Sequence, residues 1–260
     1  LARRGRLKQK KLPETAKKLV IWGFSCKISG SSQSMNREVV MSTILYTVHP
    51  GGVYVNLKNV SEEELKSGIK VYVNVTNRCP CHCSFCERQI KKMDDTNSLW
   101  LKEEPTLEEI LDEFKKYDLN DFLEVVFCGY GEPTNRIDDL LKVADEIKKK
   151  RPDLPIRINT IGLGNLLNNR DIVPEMAGRI DTVSISLNTP SKEEFYKITR
   201  SDFGPDSQDY IKAFALECKQ YIPHVVMSVV DHVISDEEIE KCQKICDDLG
   251  VTLRVRPYEG

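Results

Sequence analysis

Residues 71–88 read VYVNVTNRCPCHCSFCER, an alternating strand-like run followed at once by four cysteines within eight positions. The strand places its neighbours in a sheet, and the loop behind it gathers more sulfur than a turn needs. Cys79, Cys81, Cys83 and Cys86 belong to a set of nine, the others being Cys26, Cys128, Cys218, Cys242 and Cys246. An odd number with one dense cluster makes a poor disulfide framework, and such a cluster points to metal binding or chemistry in an intracellular chain.

Outward from this stretch, β-rich runs at 70–76, 122–128, 155–160, 181–188, 224–233 and 251–256 alternate with amphipathic helical stretches. Thr106–Glu109, Ser191–Glu194 and Ser235–Glu238 fit the S/T-x-x-E capping signal, and Gly250 is a favoured stop for the helix over 235–249. Leu107, Ile110, Leu111 and Phe114 form one apolar stripe, and Leu140, Val143 and Ile147 a second. Six strands joined by right-handed crossovers give an α/β fold, either doubly wound or barrel-like.

Strand polarity helps to choose between the two, a sheet with one solvent-facing side being the alternative. Val183, Ile185 and Leu187 share one face, while Ser184, Ser186 and Asn188 share the other. Arg157 and Asn159 likewise oppose Ile156 and Ile158, and Thr252, Arg254 and Arg256 oppose Val251, Leu253 and Val255. A parallel strand covered on both sides would be apolar on both. One face therefore meets helices and the other lines something polar, which favours an open, partial (βα)6 TIM-like barrel around a sizeable polar ligand. VYVNLKN (53–59) and VYVNVTN (71–77) match at five of seven positions, and residues 44–68 read as a small β-extension ahead of a core domain at 69–260.

The 260 residues, 40% apolar, are ample for one core, and no apolar run approaches the ~20 residues that cross a bilayer. Residues 1–60 carry 11 basic and 2 acidic side chains, leaving 27 and 38 for the rest. The expected reading of 1–43 is a basic, poorly ordered or non-native arm. Its apolar run LVIWGFSC (19–26) is short for a secretory signal and no small-x-small cleavage site follows. The acidic body argues against strong nucleic-acid binding.

Three chemistries compete for the sulfur loop. Structural zinc needs four closed ligands, and Cys83–Cys86 supplies one pair whose only partners, Cys242 and Cys246, have the spacing of helix core positions. A thioredoxin-type pair, Cys83-x-x-Cys86, leaves Cys79 without a role. Cys79, Cys83 and Cys86 as C-x₃-C-x₂-C could instead ligate a [4Fe–4S] cluster, leaving one iron open to a reactant and Cys81 a bystander.

This motif, with Phe85 before its last cysteine at the loop after the first barrel strand, resembles the radical S-adenosylmethionine (SAM) superfamily. FCGYGEPT (127–134) resembles that superfamily's GGEP motif, INTIGLG (158–164) its N-T-N-G stretch with Ile161 in place of the second asparagine, and SISLN (184–188) its fourth-strand segment. Together with SLWLKEEPTLEEIL (98–111), these runs look most like the small TatD family-associated radical SAM proteins. The resemblance covers about residues 69–256. It implies a barrel of the radical SAM type, with Cys79, Cys83 and Cys86 holding the [4Fe–4S] cluster and Gly129, Tyr130, Gly131 and Glu132 holding the methionine end of SAM, the acidic Glu132 suiting its ammonium. Asn159, Ser186 and Asn188 are then candidate contacts to SAM hydroxyls or carboxylate.

The resemblance further implies an oxidoreductase that cleaves SAM reductively to a 5′-deoxyadenosyl radical, which abstracts hydrogen from an unknown substrate. A flavodoxin- or ferredoxin-type donor, a substrate that is a small molecule or a protein, and a cytoplasmic, anaerobic setting follow from it. Catalytic residues beyond the cofactor ligands are unknown. Arg254 and Arg256 are candidates either to grip an anionic substrate or to pair with rim acids. The alternatives are an activase of the glycyl-radical type acting on a partner protein, an RNA-modifying enzyme and an electron-transfer module.

Overall fold

The computed structural model describes residues 43–90 and 98–258. The arm expected at 1–43 lies, but for Thr43, outside the described residues. The described residues belong to one compact unit. Its strands are β1 (Leu45–His49), β2 (Val53–Asn56), β3 (Ile69–Val73), β4 (Phe122–Phe127), β5 (Ile156–Thr160), β6 (Thr182–Ser186), β7 (His224–Val230) and β8 (Thr252–Arg256). They form one open sheet in the order β2-β1-β3-β4-β5-β6-β7-β8. From β3 to β8 every neighbour is parallel, so six strands lie in sequence order, with helices in the connections. This is an α/β partial barrel.

The helices are α1 (Glu62–Lys66), α2 (Glu87–Ile90), α3 (Leu107–Phe114), α4 (Ile137–Lys150), α5 (Gly164–Asn168), α6 (Val173–Met176), α7 (Lys192–Thr199), α8 (Ser207–Tyr221) and α9 (Asp236–Leu249). Sequence signals account for several ends. Thr106 and Ser235 form reciprocal capping boxes with Glu109 and Glu238, Ser191 accepts from the Glu194 N–H, and Gly250 ends α9 in the left-handed region. The α8 helix carries no such signal, since Asp206 makes no side-chain cap, and it was not singled out in the sequence.

The predicted two-faced strands are present. Val71, Val73, Val125, Phe127, Ile156, Ile158, Val183, Ile185, Met227 and Val229 are buried in one core with Ile110, Leu140, Val143, Ile147, Ile211, Phe214 and Ala215 of the helices. Cys218, Cys242 and Cys246 lie in that core fully buried, and burial pushes their thiols up to about 12, 12 and 11. They behave as small apolar residues. The alternate positions, among them Tyr72, Cys128, Asn159, Ser184, Ser186, Ser228, Arg254 and Arg256, share the opposite, inner face. On β8 the division is incomplete: Leu253 packs on the core, but Val255 is 45% exposed on the sheet edge.

The resemblance between 53–59 and 71–77 does not correspond to direct pairing. The run at 53–59 is a strand only to Asn56 and continues as a 3₁₀ turn, Leu57–Asn59. The intervening β1, LYTVH, pairs antiparallel with both β2 and β3. A type II-like turn joins β1 to β2, with Pro50 ahead of Gly51 at φ 79° and the Gly52 N–H donating to the His49 carbonyl at 3.1 Å. The hairpin brings Tyr46 onto Tyr72, ring centroids 5.2 Å apart and 28° between planes.

Ile185 lies at the centre of the outer core and has no exposed surface. Ile185→Ala is expected to lower unfolding stability by roughly 2–5 kcal/mol in a denaturant titration.

Candidate functional site

The cysteine loop leaves the C-terminal end of β3 and is fastened on three sides. On the first, Asn77 exchanges two hydrogen bonds with the backbone of Leu101, donating to its carbonyl at 2.7 Å and accepting from its N–H at 3.1 Å. Glu104 accepts from both Nε and Nη2 of Arg78, at 2.9 and 3.0 Å, and from the Thr76 hydroxyl, with Arg136 also in reach. Partial burial would raise the Glu104 carboxyl, but the bonds from Arg78 and Thr76 outweigh it and hold it below its usual range. Residues 99–105 thus fix the approach to Cys79.

On the second side, the loop after β4 packs directly on the first. A Cβ on Gly129 would stand 2.7 Å from Cγ of Asn74, and one on Gly131 would stand 2.7 Å from the Thr76 carbonyl carbon and 2.8 Å from the Arg78 carbonyl oxygen. Between these contacts the Glu132 N–H donates to the Arg78 carbonyl at 2.7 Å. Glycine is therefore favoured at both places by the chain's own atoms, the Asn74 side chain at Gly129 and backbone at Gly131, and not only by a ligand. On the third side, the end of α7 backs the sulfur run. His82 and Ser84 donate their N–H groups to the Thr199 and Ile198 carbonyls at 2.7 and 2.9 Å, and Asp202 donates to Pro80 at 2.8 Å. Arg200, in the left-handed region at φ 46°, aims Nε and Nη2 at the His82 carbonyl. Sequence reasoning missed the roles of Arg200, which sits in no quoted motif, and of Glu104, whose run at 98–111 was recognised only as a whole.

Within this frame Cys79, Cys83 and Cys86 are half-buried free thiols, while Cys81 is buried in the core between the first two. The Cys81 thiol bonds to Cys79 and Cys83, and this contact, aided by Arg88 and Arg200, lowers Cys83 despite burial. Burial raises Cys86. No three His, Cys, Asp or Glu among the described residues gather as ligands of one metal ion. In a cubane cluster each thiolate meets a different iron, so its sulfurs stand wider apart than the ligands of one ion.

The remaining predicted residues lie at neighbouring strand ends. Tyr130 packs against the Tyr46, Tyr54 and Leu99 cluster, and burial pushes its phenol up to about 12. Glu132 departs from the expectation of an acid facing an ammonium. Its buried carboxylate accepts from the Thr134 N–H (3.1 Å), the Thr134 and Thr160 hydroxyls (both 2.7 Å) and the Ile161 N–H (2.7 Å). The side chain staples the β4 and β5 loops together. Burial raises its carboxyl while these four bonds pull it down.

Asn159 and Asn188 each keep a buried Oδ1 without a hydrogen-bond partner. Asn188 is held at φ 64°, where the N–H groups of Leu187 and Asn188 both donate to the Ser228 carbonyl. Each of these two acceptors is free to take a donor from a polar ligand. Ser186 lies in register with Ser228. Cys128, deep on the inner face, touches Asn159 and the Tyr46 hydroxyl. The donor set, the orphaned amides and the polar wall all fit an iron–sulfur cluster with SAM. A separate 330 Å³ groove between Phe114 and Arg151 lies at the N-terminal ends of the strands, away from this rim.

Residues 73–245 match the Radical SAM superfamily, and the chain belongs to it. The cofactors of that family are a [4Fe–4S] cluster and SAM. GTP 3′,8-cyclase of Paenarthrobacter nicotinovorans is 23% identical over 143 residues, half of this chain and 35% of that protein, so the chain spans about a third of that relative. Similar solved structures include a radical SAM methyltransferase from Sphaerobacter thermophilus, with TM-score 0.51 and 16% identity over 74% of this chain and 56% of the other. Streptococcus suis SuiB bound to precursor peptide SuiA gives TM-score 0.53 and 16% identity over 72% of this chain and 38% of that one. HydG, a maturase of the [FeFe]-hydrogenase, gives 0.51 and 16% over 73% and 42%. These likenesses concern the fold. No helix among the described residues is long and apolar enough to cross a membrane.

Gly131→Ala is expected to destabilise the protein by roughly 1–3 kcal/mol through the collision with Thr76 and Arg78. Thermal melting checks the loss, and lower iron retention after anaerobic reconstitution would show that the cysteine loop has shifted with it.

Proposed function

We propose that Cys79, Cys83 and Cys86 hold three irons of a [4Fe–4S] cluster, with SAM bound across the ends of β4, β5 and β6. The observation that carries this reading is the docking of the cysteine loop on the GYGEP loop, beside the two orphaned amides of Asn159 and Asn188. Bound there, the cluster and SAM supply a one-electron reductive cleavage of SAM and abstraction of a hydrogen atom from the substrate.

The chain's own residues orient and enclose. The backbone at Gly129, Tyr130 and Gly131 receives the methionine end of SAM. Glu132 contributes through its staple, which fixes that backbone against the β5 loop, and not through contact with the ammonium. The Asn159 and Asn188 carbonyl oxygens accept from SAM hydroxyl or amino groups, and Ser186 lines the same wall. Arg88 and Arg200 favour the thiolate form of Cys83. The tyrosines of the hairpin close one side of the rim and limit water. An external one-electron donor of the flavodoxin or ferredoxin type and a cytoplasmic, anaerobic setting complete the reading.

Anaerobic reconstitution with iron and sulfide, followed by assay with dithionite and SAM, tests it. The expected result is close to four irons per chain and formation of 5′-deoxyadenosine. Cys79→Ala, Cys83→Ala and Cys86→Ala should each abolish the nucleoside and most of the iron, whereas Cys81→Ala, whose thiol lies in the apolar core, should retain both. Full iron loading in the wild type without 5′-deoxyadenosine would point to an electron carrier instead.

A further inference from the structure

We infer that the substrate is a small anion, gripped through a carboxylate or phosphate group by Arg254 and Arg256 on the inner face of β8. This rests on the strand-end site proposed above and names the substrate class of that site.

Alternation along β8 sets the direction of the two side chains. Leu253 packs on the outer core and Val255 shares its side, so Arg254 and Arg256 stand on the face shared with Ser186 and Asn159. The register makes this specific: Ser186 pairs with Ser228, and Ser228 with Arg254. Arg254 therefore lies two strand spacings, about 10 Å, from a proposed SAM contact. Across the open sheet, the charge of Arg254 acts on the Tyr72 phenol of β3, and that of Arg256 on the Cys128 thiol at the end of β4.

The charges on this wall are not evenly matched. Arg157 faces Glu124 at 3.3 Å, and Lys70 takes the other oxygen of Glu124 at 3.1 Å. Among the described residues no carboxylate lies within ion-pair distance of Arg254 or Arg256. Glu87, the other acid in electrostatic reach, stands near Cys128, Tyr46 and Tyr130. Arg256 also keeps a buried Nε without a hydrogen-bond partner. A guanidinium group with a buried, unanswered N–H is unfavourable unless an acceptor arrives from outside the chain. The planar fork suits a carboxylate or a phosphate, which can take two parallel bonds. The stacked Tyr46 and Tyr72 rings offer an apolar surface for the carbon frame of such a molecule.

Calorimetric titration of the full chain with inorganic phosphate, and separately with succinate, at low ionic strength tests this without requiring turnover. The expected result is one equivalent of at least one anion, the tighter of the two naming the headgroup. Arg254→Gln and Arg256→Gln should each weaken it at least about tenfold, and Arg170→Gln, on the outer surface, should not. Arg254 is exposed, so its variant is expected to fold, and a melting curve checks this. The titration is then repeated on the reconstituted protein with saturating SAM.

Retained anion binding under SAM supports the inference. Competition by SAM would assign the arginines to the carboxylate of SAM and overturn it, as would absence of binding in the wild type or unchanged affinity in Arg254→Gln. Deoxyadenosine formation without anion binding sinks this inference alone, whereas anion binding without deoxyadenosine sinks the proposed function and leaves the anion site standing.

Discussion

The site depends on one close approach, that of the backbone at Gly129 and Gly131 to the chain leading into Cys79. With no side chain at either glycine, the loop after β4 lies against Asn74, Thr76 and Arg78, and the Glu132 N–H closes the contact on the Arg78 carbonyl. The position of the sulfurs relative to the GYGEP backbone is set by this contact before any ligand arrives. Preorganisation of this kind is what a cofactor site requires, because a displacement of a single ångström at the ligands would separate the cluster from its partner.

Much of this was legible in the sequence. The six parallel strands, the two-faced polarity and the cysteine motif could all be read because each rests on a local pattern: alternation, a capping signal or a fixed spacing. Three features could not. The strand β1 is short and Tyr-Thr-His-containing, and its pairing with both β2 and β3 is a long-range fact that the similarity of 53–59 to 71–77 obscured. Arg200 acts by bonding a backbone carbonyl 118 residues away, for which no spacing rule exists. Glu132 is legible as part of the motif, with a methionine ammonium as its chemically expected partner, but its partners within the fold are hydroxyls and backbone N–H groups that no local pattern announces. The burial of that carboxylate among Thr134, Thr160 and Ile161 could be seen only in three dimensions.

Arginines of the inner wall illustrate how the same residue type divides by context. Arg157 has an acid at hand on the adjacent strand in Glu124, itself shared with Lys70, and forms part of a structural charge row. Arg254 and Arg256 sit on β8, which among the described residues pairs with β7 alone, so no second neighbouring strand brings a carboxylate alongside. An edge strand is a natural place for a residue that must meet something from outside, because its neighbours in the sheet lie on one side only.

The rim is held chiefly by hydrogen bonds and the outer core chiefly by apolar packing, and the two are joined beneath the site by a buried polar bridge. Gln208 at the start of α8 donates to the Thr189 carbonyl at 2.6 Å, Ser207 bonds to Ser201, and Thr199 passes its carbonyl to His82 in the cysteine loop. The residue after Asn188 is thereby linked through α8 and the end of α7 to the sulfurs. Buried polar groups are favourable only when nearly all are answered, and this bridge leaves one unanswered, the Gln208 Oε1. The loops after β3, β4, β5 and β6 are therefore coupled by directional contacts that tolerate little sliding, whereas a loss of packing volume in the outer core can lower stability without shifting any of them. A fold arranged this way can vary β7 and β8 while the loops after β3 to β6 stay fixed.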